Sequence, residues 1–435
     1  GETLHATTQK VIEDGDGNPF PFSAAQDAIL MTGTSRLEFN DNGEYISGDG
    51  TDLTITSGND IKLAVGAAGS VHSSGSAGTS NTVLGIDAGA ILHANSDFNV
   101  FIGDTVADAT MTATADSNTG VGYAALGALT SGNRNTAVGK DAFIALTTGQ
   151  YNVAIGYDAG TALVGGTHNV IIGDSAGIAT TTVDKAVIIG QAAGGGVLTA
   201  AADGTIAIGV EAGNRITSGA GNLAIGYQCM DALTVGELNT AVGYQALGTS
   251  VDGSYNAAFG YQALEVFEAG SNAGENTALG YRAGRYISTG VSNTFVGSQA
   301  GQAIIGTPSV ANNNTAVGKD ALMVIQTGDE NTAIGANALD ANTTGADNTA
   351  IGKSALSANT TANNNVAVGR TALEVNTTGA NLTAVGRDAL ASNTTASNNV
   401  AVGYQSLFAN TTGSENVAVG AYVLDASSTG ANNTG

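Results

Sequence analysis

The sequence has no tryptophan, one cysteine, 3 prolines and only 5% aromatic residues. With so few large rings, the chain can close a thin, tightly packed core but not fill a wide one. A single cysteine, Cys229, rules out an intrachain disulfide. It stands where other copies of a repeating unit mostly carry alanine, so it reads as a small buried filler, not a reactive thiol. Charge is also scarce, at 11% of residues, and one-sided: 13 basic against 37 acidic, a net charge of −24. That balance argues against nucleic acid or an anionic membrane as a partner. It suits solubility and repulsion between neighbouring molecules. No apolar run approaches the ~20 residues that span a bilayer, so membrane insertion is not expected. The chain opens Gly1-Glu2-Thr3 without a signal-peptide pattern and stops at Asn432-Asn433-Thr434-Gly435, the beginning of another unit. Both ends read as those of a longer or processed protein.

What the chain has is glycine, 63 residues of it, and a period. Residues 1–80 do not carry the repeat and read as short strands followed by a Gly/Ser/Ala-rich linker. Asp14-Gly15-Asp16-Gly17-Asn18-Pro19 starts like a calcium loop, but Ala25 stands where that loop needs Glu, so it reads as a surface turn. Leu37, Phe39, Tyr45, Ile46, Leu53, Ile55, Ile61 and Leu63 form short alternating runs between turn signals. From Asn81-Thr82-Val83-Leu84-Gly85 to residue 435, one unit recurs. Its motif glycine returns mostly every 17 residues, as at Gly318, Gly335, Gly352 and Gly369. A few intervals are longer, up to 21 between Gly297 and Gly318, with the addition read around Pro308-Ser309-Val310.

Helical-hairpin repeats need ~33 residues or more, so this period excludes them. At ~3.3 Å per residue, one unit has length for two short strands and two turns. The expected fold is all-β: a parallel β-solenoid or β-roll of about twenty coils with an irregular β segment at its N-terminus. Stacked ~4.8 Å apart, twenty coils make a rod ~95 Å long.

Alternation along the strand divides the unit by position. The residue before the glycine is always apolar, as in Val138, Ile155, Val242, Ile334, Ile351 and Val368. These are the expected core. The residue before that is usually alanine, as in Ala137, Ala241, Ala316, Ala333 and Ala350. A strand with one face in water would carry a polar residue at one of the two positions. The small side chains therefore suggest close approach to another copy of the chain, the alternative being a single solenoid with alanine lining its interior. The residue four after the glycine is Leu, which would fill the rest of the core, or Gly, which would tighten the turn. Asn342, Asn359, Asn376, Asn393 and Asn410 recur at one position and are expected to form a hydrogen-bonded ladder. Their Asn-Thr-Thr context also matches a glycosylation sequon, but strict periodicity favours the ladder.

Two surface rows stand out. Tyr227, Tyr244, Tyr261 and Tyr281 follow successive motif glycines and would stack their rings along one edge. Such a row could contact sugar rings of a host glycan, or simply cover the core or a subunit seam. Lys353, Arg370 and Arg387 share one position in successive coils, where like charges repel; acidic groups of another chain would relieve this better than a bound sulfate.

Asn239-Thr240-Ala241-Val242-Gly243-Tyr244-Gln245-Ala246-Leu247 and its relatives resemble repeats of bacteriophage tail fibres. They are also similar to the Asn-Ser-Val-Ala-Ile-Gly repeats of trimeric autotransporter adhesin heads. The resemblance covers about 81–435 and implies a left-handed parallel β-roll, three chains side by side, with the small-residue face toward the axis. It implies work outside the cell, on a virion or a bacterial surface, with other tail proteins or a host receptor as partners. The unit is longer than the usual autotransporter one, and no heptad stalk, anchor strands or C-terminal chaperone accompany it. Residues 36–65 also resemble short-strand segments of phage fibres, which favours the tail fibre over a surface adhesin.

Chemistry is hard to find. His5, His72, His93 and His168 are scattered, no Ser/His/Asp set stands out, and the glycine-rich segments lack a following Gly-Lys-Ser/Thr. Neither enzyme activity nor a cofactor or metal is expected. An ice- or mineral-binding array is disfavoured, because no face carries a uniform Thr-x-Thr grid.

Overall fold

A computed structural model describes residues 10–13, 19–25, 28–31, 80–267 and 274–435. The chain divides into two units, Gly1–Gly69 and Ser70–Gly435. In the first, the described backbone forms an antiparallel three-stranded sheet, Lys10–Glu13, Pro19–Ala25 and Ala28–Met31. The expected runs between Leu37 and Leu63, and the Asp14–Asn18 turn, lie outside the described residues.

The second unit is a parallel β-solenoid. Its twenty strands, from Thr82–Leu84 to Val417–Val419, each span three residues ending just before a motif glycine. Each pairs in parallel with the next, in register: Thr332 with Thr349, Ala333 with Ala350, Ile334 with Ile351. Longer intervals do not disturb this. Val296 still lies beside Val317 across the longest one. The added residues there are looped out just before Ser309, with Ile305 exposed and Ile304 bridged to Thr307. Ser309 itself is back in the stack, its carbonyl accepting from the Ser288 amide at 2.8 Å. The displaced turn thus lies a few residues earlier than Pro308-Ser309-Val310. The helical residues among those described are one 3-10 turn, Ala200–Ala202.

Turns, not strands, make up most of each coil, and they run through the left-handed region. In one coil Gly335 has φ 135°, Asn337 57°, Leu339 52° and Asp347 57°. Asn and Asp tolerate this conformation through local hydrogen bonding. Leu339 does not, and its backbone costs about 1–2 kcal/mol. Full burial of its side chain offsets that cost by a similar or larger amount.

The two strand faces are the reverse of the sequence expectation. Ala137, Ala241, Ala316, Ala333 and Ala350 are fully buried inside a single chain and cannot touch a neighbour. Val138, Val242 and Val368 lie half-buried on the outer face, and Ile155, Ile334 and Ile351 are exposed there. The reason is the width of the coil. A left-handed leucine such as Leu339 reaches across the interior toward the strand, leaving room for little more than a methyl group at the strand centre.

That interior keeps its volume by compensation. Where the strand centre is large, the residue six later is small: glycine for Ile171 with Gly177, Ile188 with Gly194 and Phe295 with Gly301, alanine for Phe101 with Ala107. A Cβ on Gly301 would stand 2.2 Å from the Phe295 ring. Where the centre is alanine, the later residue is usually leucine, as in Ala241 with Leu247.

Polar ladders close the remaining corners. Asn359 Nδ2 donates to Asn342 Oδ1 at 2.9 Å, Asn393 to Asn376 at 2.9 Å and Asn410 to Asn393 at 3.1 Å, all fully buried. The step from Asn376 to Asn359 is looser, at 3.5 Å. Buried inside the rod, these side chains are closed to glycosylation. Earlier coils carry apolar residues at this same corner, such as Leu129, Leu146, Leu163 and Ile325. A second ladder, not anticipated from the sequence, uses the asparagine that opens the unit. Asn152 donates from Nδ2 to Asn135 Oδ1 at 3.1 Å and to the Gly166 carbonyl at 2.7 Å, and its own Oδ1 accepts from Asn169 at 3.0 Å.

The first ladder ends on an orphan. Asn410 Oδ1 is buried with no partner, because the next coil supplies Ser427 at that corner. Ser427→Asn extends the ladder by one rung and stabilises the terminal coil by about 1 kcal/mol. Slower hydrogen exchange of the Thr411 and Ser427 amides is the expected readout; unchanged protection would show that the orphan costs nothing.

Candidate functional surface

A stacked coil turns each sequence position into a row, so this surface consists of rows. Four matter: the outer strand face, the row just after the motif glycine, the row beside it, and the row that precedes the ladder asparagine.

The row after the glycine carries the tyrosines. Tyr227, Tyr244, Tyr261 and Tyr281 are stacked with centroids 5.2, 5.1 and 5.4 Å apart and planes within 14° of parallel. The spacing is that of the coils, so the backbone imposes it. Each ring turns its faces toward its neighbours, while its edge and hydroxyl meet solvent. A sugar ring stacks on an aromatic face, and these faces are engaged within the row. The Arg282 guanidinium also lies 4.8 Å from the Tyr281 centroid and 5.9 Å from that of Tyr261. Farther along, the same row carries Lys319, Lys353, Arg370 and Arg387, all exposed. Lys319 and Arg387 each pair with the aspartate that follows, Asp320 and Asp388. Lys353 and Arg370 form no ion pair with any described residue of their own chain.

Beside the tyrosines runs an amide row that sequence reading missed. Gln228 donates to Glu211 at 2.7 Å, Gln245 to Gln228 at 3.0 Å and Gln262 to Gln245 at 3.1 Å. The repeated Tyr-Gln dipeptide was its signal. The row borders a hollow of about 170 Å³ lined by Arg215, Asp231, Gln245, Thr249 and Glu265. Partial burial pushes the Asp231 carboxyl above its ordinary range. Arg285 is paired with Glu265, one of the residues that line the hollow.

The row preceding the ladder asparagine holds Arg134, Tyr151 and His168. Tyr151 and His168 stack at 4.8 Å, and Arg134 Nη1 donates to the Tyr151 hydroxyl at 2.8 Å. His168 is thus a member of a stack. In the C-terminal coils the same row carries Glu330, Asp347 and Glu415, all exposed.

Cys229 is fully buried and its Sγ–H points at the Ala241 carbonyl, 3.2 Å away. Burial pushes the thiol up to about 12, so no thiolate is present near neutrality. Ser406 holds the same corner in a later coil and donates to Ala418 O at 3.1 Å. Among the described residues, no group of three or more His, Cys, Asp or Glu could hold a metal, and no helix is long and apolar enough to cross a membrane.

The outer strand face is the longest row. Every rung presents Val, Ile, Leu or Phe just before the glycine, including Leu279 at 50% exposure and Ile334 at 39%. The residue two earlier is Thr or apolar and mostly half-buried. No protein-family model, no curated protein and no solved structure matches this chain.

Proposed function

We propose that this chain is the shaft of a trimeric bacteriophage tail fibre, a rigid extracellular rod that takes part in host attachment without catalysing a reaction. The observation that carries this reading is the unbroken parallel stack, twenty strands in register despite insertions. A load along such a rod passes through backbone hydrogen bonds and buried amide ladders. The net charge of −24 keeps separate rods from bundling. The repeated Asn-Thr-Ala-Val-Gly unit supports the assignment through its resemblance to phage fibre repeats, and a homotrimer, host receptors and other tail proteins are the partners it implies.

The same unit resembles autotransporter adhesin heads, so a bacterial surface adhesin is the second reading. Immuno-electron microscopy with antibody raised against the chain separates the two. Label on the tails of phage particles is the expected result. Label on the bacterial envelope would transfer the assignment to an adhesin, and label on neither would remove both.

A further inference from the structure

On the fibre reading above, which places a host surface beside the rod, we infer that the hollow at Gly248 is a binding site for one neutral sugar unit of a host glycan.

The hollow is made by an omitted side chain. The fifth residue after the motif glycine is Asn214, Asp231, Gly248, Glu265 and Arg285 in successive coils, and each side chain in this row is partly exposed. Asp231 and Glu265 thus stand two coils apart, ~9.6 Å along the rod, with no side chain of their own row between them. The φ of Gly248 is not positive, so the backbone does not demand glycine there. The three atoms nearest to an added Cβ would all belong to Gln245 of the same coil, the closest at 3.1 Å. Glycine alone does not leave such a space. At Gly195, the same position three coils earlier, Asn214 of the next coil leans into the gap, and its Oδ1 would stand 2.2 Å from a Cβ.

The charges around the hollow balance. Arg215 and Asp231 line one side, and Glu265, paired with Arg285, lines the other. An anion would meet two carboxylates here, and a cation two guanidinium groups, so neither sign is favoured. A metal ion is poorly served. The oxygens of Glu265 are engaged by Arg285 and by Gln262, the latter at 2.9 Å, whereas calcium takes about 6–8 oxygen ligands.

A neutral polyol fits the groups that remain. The Asp231 carboxylate is half-buried, and no side chain among the described residues donates to it. A desolvated carboxylate gains from hydroxyl donors. Arg215 is exposed, forms no ion pair among the described residues and offers N–H donors close by. Gln245 is held from both sides, donating to Gln228 and accepting from Gln262, and keeps a second N–H for a ligand. The Thr249 hydroxyl donates to the Glu265 carbonyl at 2.7 Å, which leaves its oxygen as an acceptor. Donors and acceptors thus converge on one space, as the vicinal hydroxyls of a sugar require. Its volume of about 170 Å³ is well below the ~300 Å³ at which sites for drug-sized ligands begin, so one ring enters and the rest of a glycan stays in solvent.

The test is saturation-transfer NMR of the full chain with the methyl glycosides of glucose, galactose, mannose, rhamnose and N-acetylglucosamine, and with glucuronic acid for comparison. At least one neutral sugar is expected to bind, and more strongly than the acid. Gly248→Ala, whose methyl leaves the hollow open, is expected to keep the signal. Gly248→Gln is expected to abolish it with the far-UV circular dichroism unchanged, since Gln302 already stands at this position in another coil. Asp231→Ala and Arg215→Ala are each expected to lower the signal at least fivefold. A wild type that binds none of the five neutral sugars, while antibody label marks phage tails, overturns the inference and leaves the fibre reading in place. Preference for glucuronic acid, or a Gly248→Gln variant that binds as the wild type does, also overturns it. A neutral sugar lost only on filling the hollow, with label on neither tail nor envelope, upholds the site and removes the host surface as its source.

Discussion

Gly335→Ala is expected to destabilise the rod by about 3 kcal/mol or more and to open it locally. Two costs coincide at this residue. Its φ of 135° lies where only glycine is at ease, a strain of about 1–3 kcal/mol for any other residue. An added Cβ would also stand 2.5 Å from the Gly352 carbonyl oxygen in the next coil. That contact is backbone on both sides, so relief requires the coils to part, and the strand pairing of Ile334 with Ile351 goes with it. In a one-dimensional stack each coil is held only by its neighbours, so a broken step separates two halves. Hydrogen exchange should show lost protection at Gly352 and Ser354, with distant coils unchanged. Gly345→Ala is the control. Its Cβ would meet Ala362 O at 2.4 Å, but φ is not positive, and Ala362 and Ala396 already occupy that position in other coils. A smaller loss is expected there. Equal effects of the two substitutions would show that φ does not decide the matter.

The period, the strand positions and the stacking were legible because each depends on a repeat that survives across many coils. The faces of the strand were not. In Ala333-Ile334 both residues are apolar, and size alone favours isoleucine for the core. The deciding residue is Leu339, whose left-handed backbone no propensity rule assigns to leucine. The asparagine and aspartate at neighbouring left-handed positions, such as Asn337 and Asp347, are ordinary turn signals by comparison. The information was nonetheless present within the chain: Ile171, Ile188 and Phe295 stand at strand centres, and each is followed six residues later by glycine. An outward-facing residue has no cause to vary with a residue across the interior. The ladder through Asn135, Asn152 and Asn169 was hidden differently. An asparagine before a strand reads as a turn residue, and only stacking shows that its amide is enclosed between coils. For the tyrosines, the row and its spacing could be read from the repeat, but not the orientation of the rings, which decides whether a face is free.

Phe295→Ala tests the compensation directly. The ring is fully buried and fills the space that leucine takes in most other coils. Its loss is expected to cost about 3–5 kcal/mol, because neighbouring coils are held at their spacing by backbone pairing and cannot collapse into the gap. Gly301 offers the repair. Its φ of 58° matches the 49–58° of the leucines at the same position in other coils, such as Leu264 and Leu126, so leucine there repeats a conformation that the fold already uses. In the wild type Gly301→Leu is excluded, since even a Cβ would stand 2.2 Å from the Phe295 ring. Each single substitution should therefore be strongly destabilising, and Phe295→Ala/Gly301→Leu should recover most of the loss in urea denaturation. The expected coupling between the two sites is about 3 kcal/mol, at the upper end for residues in contact. The double variant has the Ala-and-Leu interior of the coil around Gly335, so recovery amounts to exchanging one solution of the coil for another. Additive losses would mean that the two positions do not share a volume, and that the inward assignment of the strand centre fails at this coil.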